Sequence, residues 1–307
     1  NEFLEKHNLS TTAWILGSYS EADDHPGMEG AYGASTTFSN QEVLLYGGYA
    51  EIGDNFNPAL GYVSRDDFRN YDMTFSYHPK YDETDWLQSS VHQYAFDLYT
   101  DTGNNLIDTM QRFEPLSLIF DTGDSISFES FHHTDRPSLD LYPTGEFPIW
   151  DTKLPVGKYE WWNHRLSFES NAKRKISGNL ETNRGEMYES PASRYGGGLK
   201  FKLWKKFLFG FDYSISTIDW KNAPQTKLQV VTGQAKINFS PDLFISNLIQ
   251  YDDDSNLVGV NSRLQWEYKP GAKFFLVVNQ GYEVLDGSRF SSQGYGTALK
   301  LGTLFRF

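Results

Sequence analysis

Polar and hydrophobic residues alternate along most of this chain, and the pattern is clearest in the segment 294–307. Its odd positions are Tyr295, Thr297, Leu299, Leu301, Thr303, Phe305 and Phe307, and its even positions include Gly296, Ala298, Lys300, Gly302 and Arg306. Successive side chains of a β-strand point to opposite faces of the sheet. One face of this segment therefore suits lipid and the other suits water, and the pattern predicts a strand that separates the two.

The same division of positions recurs upstream. Leu264, Trp266 and Tyr268 alternate with Arg263, Gln265 and Glu267. A tilted strand of about 9 to 11 residues can cross a bilayer. The alternation predicts about 16 strands of at least this length. They are placed near residues 11–21, 28–39, 42–53, 69–79, 87–99, 106–119, 125–133, 159–170, 175–185, 193–204, 207–218, 226–239, 243–252, 258–268, 273–284 and 294–307.

The connections between these strands alternate between short and long. The tight ones are 40–41, 205–206, 240–242 and 269–271, and the longer ones are 54–68, 134–158, 185–192, 219–225 and 285–293. Outer-membrane barrels have short periplasmic turns and long outer loops. The sequence therefore predicts a lead-in segment at 1–10, one barrel at 11–307 and a long outer loop at 134–158. The aromatic residues of this loop argue against disorder, and it is expected to fold over or into the barrel mouth.

Composition supports a membrane barrel over a soluble domain. Aromatic residues make up 16 % of the 307 positions, yet only 39 % are hydrophobic and the mean hydropathy is -0.54. Such a balance is typical of a barrel with aromatic girdles and a polar lumen. No run of apolar residues approaches the length of a transmembrane helix, so a barrel is the remaining way to span a membrane. The predicted fold class is an all-β, transmembrane, antiparallel up-and-down β-barrel of about 16 strands in the bacterial outer membrane.

Charge and cysteine content narrow the partners. The chain has no cysteine, which excludes disulfides, thiolate catalysis and cysteine-based zinc sites, and no cofactor is expected. The net charge of -13 argues against nucleic acid, because phosphate binding needs a basic surface. The expected partners are outer-membrane lipids and lipopolysaccharide.

The alternation assigns two sets of candidate functional residues. The lumen-lining set is Arg165, Glu169, Lys200, Lys202, Asp212, Lys236, Arg263, Glu267, Lys300 and Arg306. The lipid-facing set, which would also guide barrel assembly, is Tyr295, Leu299, Leu301, Phe305 and Phe307. The lumenal charges have two readings that the sequence leaves open: ion pairs that cross-link the wall, or groups that set the selectivity of a pore.

Catalytic and metal-binding chemistry is weakly supported. His92 and His164 share faces with aromatic and apolar residues, which is typical of amphipathic girdle residues, and we expect no serine to be paired with them. His132 and His133 are adjacent on a strand and therefore point to opposite faces. Asp252, Asp253 and Asp254 offer oxygen ligands of the calcium type but lack the remainder of a calcium loop, so they are weak candidates at a solvated hairpin tip. We expect no catalytic residues and no metal.

Two stretches resemble a known family. They are NSRLQWEYKPGAKFFLVVNQGYE at 261–283, together with the terminal LFRF, and, less specifically, GYVSRDDFRNYDMTFSYHPK at 61–80. The segment Leu243–Tyr282 as a whole resembles the C-terminal barrel domain of unknown function that follows family-9-like carbohydrate-binding modules in Bacteroidetes and other Gram-negative bacteria. Members of that family have further strands upstream of the region matched here. The resemblance therefore implies a wider barrel, completed by upstream strands or by another protein chain.

The resemblance implies little about activity, because the family's activity is not established. Its names, such as membrane-associated hydrolase, come from the attached module, and no catalytic residues carry over. The leading hypothesis is a non-enzymatic barrel for passage, uptake or surface binding of an unidentified ligand, with carbohydrate as one candidate. The first alternative is a membrane scaffold that anchors a periplasmic or surface partner, and the second is a membrane-associated hydrolase.

Overall fold

The computed structural model describes residues 7–20, 27–57, 65–139, 141–150, 152–204, 206–285 and 289–304. These residues form 18 β-strands. The strands are β1 (Asn8–Ser20), β2 (Gly27–Ser39), β3 (Val43–Ile52), β4 (Phe68–Tyr77), β5 (Leu87–Thr100), β6 (Leu106–Phe120), β7 (Ser125–Asp135), β8 (Glu146–Ile149), β9 (Thr152–Pro155), β10 (Tyr159–Glu169), β11 (Ile176–Met187), β12 (Ser190–Leu203), β13 (Phe207–Ile218), β14 (Thr226–Asn238), β15 (Leu243–Asp252), β16 (Leu257–Lys269), β17 (Ala272–Leu285) and β18 (Arg289–Thr303).

Strand pairing follows the order of the chain. Sixteen strands form an antiparallel sheet in which each pairs with its neighbours in sequence, and β8 and β9 form a separate hairpin. Within the part of the chain that the structure describes, no helix is long and apolar enough to cross a membrane. The sheet order is the up-and-down order that the alternation predicts.

The chain divides into two compact units. Unit 1 comprises Asn1–Asp121, Ile126–Leu166 and Gly185–Pro191, and unit 2 comprises Thr122–Ser125, Ser167–Arg184 and Ala192–Phe307. Unit 1 contains the ladder from β1 to β6 and the β8–β9 hairpin, and unit 2 contains the ladder from β12 to β18. Irregular pairing in unit 1 is concentrated between β5 and β6, where the register shifts at three places.

Large apolar side chains are mostly exposed, and the few buried ones lie in small groups. Trp266 in unit 2 and Met73 in unit 1 are 48 % and 47 % exposed, whereas Phe131 and Trp161 are each 8 % exposed. Large apolar patches are rare on monomeric soluble proteins. The exposed residues therefore match a surface that is covered by lipid.

Two predicted boundaries are wrong. The sequence predicts a loop at 185–192, but β11 and β12 are joined by Tyr188 and Glu189 alone, with φ values of 48° and 58°. A two-residue hairpin turn requires positive φ at both positions, for which glycine and asparagine are preferred. The turn is stabilised here because Tyr188 donates a hydrogen bond to Asp135 at 2.6 Å and packs on Trp161. The last strand was predicted to begin at 294, but Arg289 already pairs with Leu285.

Two connections in unit 2, before β7 and before β11, are joined by side-chain hydrogen bonds. Asp124, in the turn 121–124, accepts hydrogen bonds from Thr122 at 2.7 Å, from the backbone of Asn171 at 2.8 Å and from Arg174 at 2.5 Å. These bonds stabilise the carboxylate, so they hold the pKa of Asp124 below its usual range, with the Thr122 hydroxyl contributing most. The side chain of Asn171 also donates to the carbonyl of Thr122 at 2.6 Å.

Candidate functional site

The described strands of unit 2 have one polar face. The register aligns Lys202 with Leu208, Leu208 with Lys236, Lys236 with Ser246, and Ser246 with Arg263. Paired residues of neighbouring strands lie on the same face. By this register and the period of two, seven predicted lumenal residues share that face, which we call the polar face of unit 2: Lys200, Lys202, Asp212, Lys236, Arg263, Glu267 and Lys300.

The opposite face of unit 2 is apolar. Leu264 pairs with Ile245 and Leu276, and Leu276 pairs with Leu299. The predicted lipid-facing residues Tyr295, Leu299 and Leu301 are 82 %, 62 % and 65 % exposed on this face. Phe305, Arg306 and Phe307, which were also predicted site residues, lie outside the described residues.

Cations on the polar face of unit 2 contact aromatic rings instead of carboxylates. Lys236 Nζ lies 4.1 Å from the centre of the Phe244 ring, and Arg263 Cζ lies 5.1 Å from that of Phe275. A ring face attracts a cation without neutralising its charge. Lys273, in contrast, forms an ion pair with Glu267 at 3.3 Å.

Lys202 and Lys300, two further cations of the polar face of unit 2, differ in their contacts. Lys202 donates a hydrogen bond to the carbonyl of Ala172, in the turn before β11. Lys300 pairs with Phe275 in the ladder and forms no ion pair with another described residue.

Unit 1 has a polar face of a different kind, in which arginines are paired with carboxylates. Arg112 Nη2 lies 2.9 Å from Glu114 and 2.5 Å from Glu129. Arg165, a predicted lumenal residue, lies 3.3 Å from the second oxygen of Glu129 and over the ring of Phe131. The side chains of Glu114 and Glu129 are only 8 % and 7 % exposed, so this group forms a mostly buried ionic network. The last predicted lumenal residue, Glu169, is exposed at the end of β10 and forms no ion pair with another described residue.

The long connection between β7 and β10 folds onto the polar face of unit 1. Its β8–β9 hairpin buries Phe147 to 4 % exposure against Tyr159 and Tyr188, at centroid distances of 5.9 Å and 5.3 Å. Burial, with the hydrogen bond to Asp135, raises the pKa of the Tyr188 phenol. The connection is therefore an ordered segment that covers part of this face.

The opposite face of unit 1 carries a row of tyrosines on β2, β3 and β4. Tyr32, Tyr49 and Tyr71 lie on three neighbouring strands, with ring centroids 6.1 Å and 5.0 Å apart. Beside them Glu51 and Arg69 form an ion pair at 2.7 Å. Tyrosine and a paired charge at a strand end are typical of the boundary between lipid and water.

Known proteins resemble this chain in fold but not in sequence. No known family model matches the sequence, and no curated protein sequence matches it. Among solved structures, the chain is similar to the siderophore receptor PirA from Acinetobacter baumannii, with 9 % identity and a TM-score of 0.50 over 97 % of this chain and 58 % of that chain. It is also similar to the CymD monoaromatic hydrocarbon channel, with 8 % identity and a TM-score of 0.28 over 96 % of this chain and 86 % of that chain.

The chain has the fold of a transmembrane β-barrel. This confirms the predicted all-β, antiparallel, up-and-down class. The chain spans less than two thirds of the receptor chain that it matches. The expectation that upstream strands or another chain complete the barrel stays a prediction, as does the resemblance to the domain that follows carbohydrate-binding modules.

Serine–histidine pairs are present in the barrel, contrary to our expectation. Ser90 Oγ lies 2.9 Å from His92 Nε2, and His92 Nδ1 lies 2.6 Å from the carbonyl oxygen of Pro115. Ser130 lies 2.9 Å from His164. The alternation already places Ser90 and His92 on one face of β5, two residues apart, and this signal was overlooked. Ser130 and His164 lie on different strands, so only the tertiary structure shows that they meet.

The geometry of Ser90 and His92 does not provide an accessible nucleophile. Ser90 is 1 % exposed, and its hydroxyl also lies 2.9 Å from the hydroxyl of Tyr81. A nucleophile must lie within hydrogen-bond distance of its base, and it must also be accessible to the substrate. The three groups therefore stabilise the start of β5 and satisfy one another's hydrogen bonds.

The remaining candidate residues also have structural roles. The ring of His132 lies tilted against that of Trp162 at 4.6 Å, and His133 stacks on Trp161, so the two histidine rings lie on opposite faces as predicted. Asp252 accepts hydrogen bonds from the backbone and hydroxyl of Ser255, at 2.8 Å and 2.6 Å, and Asp253 accepts two from Gln229. Among the described residues no group of three or more histidines and carboxylates could hold a metal.

Sequence reasoning missed the ionic residues of unit 1. Asp72, Asp97, Arg112 and Glu114 lie on the polar face there, and Gly48 pairs with Asp72, which pairs with Asp97. The signal was present, because Tyr71, Met73, Phe75 and Tyr77 alternate with Asn70, Asp72, Thr74 and Ser76 in β4. The alternation there is as regular as in β16.

Proposed function

We propose that this protein is a non-enzymatic outer-membrane β-barrel through which a polar solute passes or is taken up. The observation that carries the proposal is the polar face of unit 2, where charged side chains continue from β12 to β18 opposite an apolar face. Charged residues at membrane depth are tolerated where they face water. The exposed side chains of Lys200 and Arg263 are consistent with contact to an aqueous path.

The connection 136–158 of unit 1 is the longest between neighbouring strands of the sheet, and we expect it to lie outside the cell. In outer-membrane barrels the long loops are extracellular and the short turns are periplasmic.

Conductance of the purified protein in planar bilayers tests the proposal, and two glycines provide a matched pair of variants. Gly259 lies on the polar face and Gly233 on the apolar face, and a Cβ at either position would meet no atom within 4 Å. Gly259→Trp should reduce conductance severalfold because it narrows the aqueous path, whereas Gly233→Trp should leave it unchanged. Absence of conductance in wild-type protein, or equal effects of the two variants, would contradict the proposal.

The sequence resemblance suggests carbohydrate as the first class of solute to examine. Liposome-swelling rates with neutral mono- and oligosaccharides measure its passage directly. If sugar enters no faster than in protein-free liposomes while ion conductance is intact, the protein passes a different class of solute.

A scaffold role is the second candidate, and the hairpin region favours it. Leu139, Leu141 and Trp150 of the β7–β10 connection are 60 %, 69 % and 59 % exposed, although this connection is ordered and Phe147 anchors it. Exposed apolar side chains on an ordered loop are suited to binding another protein. If neither the wild-type protein nor a variant lacking residues 146–155 conducts, the scaffold role is favoured over passage.

A hydrolase role receives no support from the site geometry, since Ser90, which pairs with His92, is 1 % exposed.

A further inference from the structure

One cavity of unit 2 combines cations and amides that have few partners of their own. It has a volume of about 430 Å³ and opens between β12 and β16 on the polar face. Its charged and polar lining is Lys200, Gln234, Lys236, Ser246, Asn247 and Asn261. Ligand sites in proteins commonly have volumes of about 300 to 1,000 Å³. The cavity is thus large enough for a small solute.

The polar groups of this cavity are available for binding. Lys200, Gln234 and Ser246 make no side-chain hydrogen bond with any described residue, and no described carboxylate lies within 4 Å of Lys200 or Lys236. The ring of Phe244 contacts Lys236 but leaves its charge unneutralised. Asn261 donates to Asn279, so its own carbonyl oxygen stays available. The cavity therefore presents two cations, amide groups and a hydroxyl without a described anion to balance them.

The register holds the two lysines close to one another. Lys200 pairs with Gly210, which pairs with Gln234, and Lys236 follows Gln234 on the same face of β14. Alternate strands are about 10 Å apart, and residues i and i+2 of one strand about 7 Å apart. Two flexible side chains rooted at this spacing can reach a single anionic group between them, and Gly210 leaves the space over β13 open.

The unbalanced charge distinguishes this cavity from the polar face of unit 1. There Arg112 and Arg165 pair with Glu114 and Glu129, whose side chains are nearly buried. A second cavity of unit 2, lined by Gln250, Asp252 and Asn279, contains no cation. Among these cavities of unit 2, positive charge without a described carboxylate partner lines the one that contains Lys200 and Lys236.

We propose that this cavity is a binding subsite for the carboxylate or phosphate group of an anionic solute. This inference rests on the proposed passage function and adds the chemical class of the solute to it. Lys200 and Lys236 bind the anionic group, and Gln234 and Ser246 donate hydrogen bonds to the same group or to neighbouring hydroxyls. Charge-assisted hydrogen bonds of this kind are among the stronger polar contacts in proteins.

Direct binding tests the subsite without requiring passage. Isothermal titration of the detergent-purified full chain with inorganic phosphate, gluconate and neutral glucose compares three probes. We expect phosphate or gluconate to bind and glucose to bind at least tenfold more weakly. The double variant Lys200→Gln/Lys236→Gln should lose at least tenfold in affinity for the anion, since each charged contact is worth about a factor of ten. Preference for phosphate or for gluconate identifies which anionic group is bound.

Lys227→Gln is the matched control. It removes the same charge from the same strand, β14, but from an exposed position on the opposite face. It should leave anion affinity unchanged, and heat modifiability on gels verifies that all variants are folded. No anion binding by the wild type, or equal losses in the control and the double variant, would overturn the inference.

Conductance then separates this inference from the proposed function. In a KCl gradient the wild type should prefer chloride over potassium, and the double variant should lose most of this preference while still conducting. A conducting barrel without anion preference or anion binding overturns the subsite alone. If the protein binds the anion but does not conduct, the passage function is contradicted and the anion subsite on the polar face of unit 2 is retained.

Discussion

Arg112 Nη2 lies 2.5 Å from Glu129 Oε1, and the second carboxylate oxygen of Glu129 receives Arg165 at 3.3 Å. The carboxylate is 7 % exposed, whereas the arginines are 34 % and 36 % exposed. Three residues from β6, β7 and β10 are thereby joined through one buried acid. A buried charge is tolerated only when partners compensate its lost hydration, so this contact depends on both arginines.

Glu129→Gln should destabilise the barrel because it leaves Arg165 without a described counter-charge and Arg112 with Glu114 alone. Loss of one member of a buried ion pair costs about 3 to 5 kcal/mol, and the partial exposure of the arginines reduces this to roughly 1 to 3 kcal/mol. Denaturant unfolding in lipid vesicles measures the free energy. The exposed pair of Glu160 with Lys158, at 2.6 Å, supplies the control, and Glu160→Gln should have no measurable effect. Similar losses in both variants would contradict the importance of the buried network.

Substitutions at two adjacent residues of β16 test which face contacts lipid. Leu264 lies near the middle of the strand on the apolar face, and Gln265 lies on the polar face between Phe244 and Phe275. Leu264→Arg should cost about 2 to 4 kcal/mol, the usual penalty for arginine facing lipid at the midplane. Gln265→Arg should be nearly neutral because water can reach it. Equal free energies of unfolding for the two variants would show that the faces are assigned incorrectly.

Phe147→Ala should release the β8–β9 hairpin from the polar face of unit 1. The side chain is 4 % exposed, and removal of a buried phenylalanine usually costs about 3 to 5 kcal/mol locally. We expect faster cleavage of the connection 136–158 by added protease on intact cells, with the strands still protected. Leu139→Ala, at a position 60 % exposed in the same connection, should leave the cleavage rate as in wild type. Unchanged cleavage of Phe147→Ala would show that other contacts anchor the hairpin.

The contribution of Asp124 to the stability of the protein should depend on pH. Hydrogen bonds from Thr122, Asn171 and Arg174 lower the pKa of this carboxyl, so its contribution to stability is complete above its usual pKa of about 4 and is lost as the pH falls through the lowered folded-state value. Asp124→Asn should therefore be less stable than wild type at pH 7, and the difference should shrink towards pH 3. A difference that stays constant over this range would exclude the charge as its cause.

The alternation of side chains was sufficient to predict the sixteen strands of the main sheet and their two faces, but not the β8–β9 hairpin inside the predicted loop 134–158. In β16 and β17 the charged and apolar positions occupy the faces that the sequence indicates, because a period of two is a local property of extended backbone. The polar face of unit 2 was predictable for the same reason, since Lys200, Lys236 and Arg263 each follow the alternation of their own strand.

Contacts between strands distant in sequence required the tertiary structure. The alternation in β6 indicates where Arg112 points, but only the register places it against Glu129 and Arg165, because one residue of slip would send the side chain to the other face. The turn at Tyr188 and Glu189 was unpredictable for a similar reason: its backbone strain is offset by packing on Trp161 and by the hydrogen bond to Asp135, which lies 53 residues earlier. The sequence by itself determined which face each side chain occupies, and the pairing of strands decided which side chains meet, since periodicity is local and register is not.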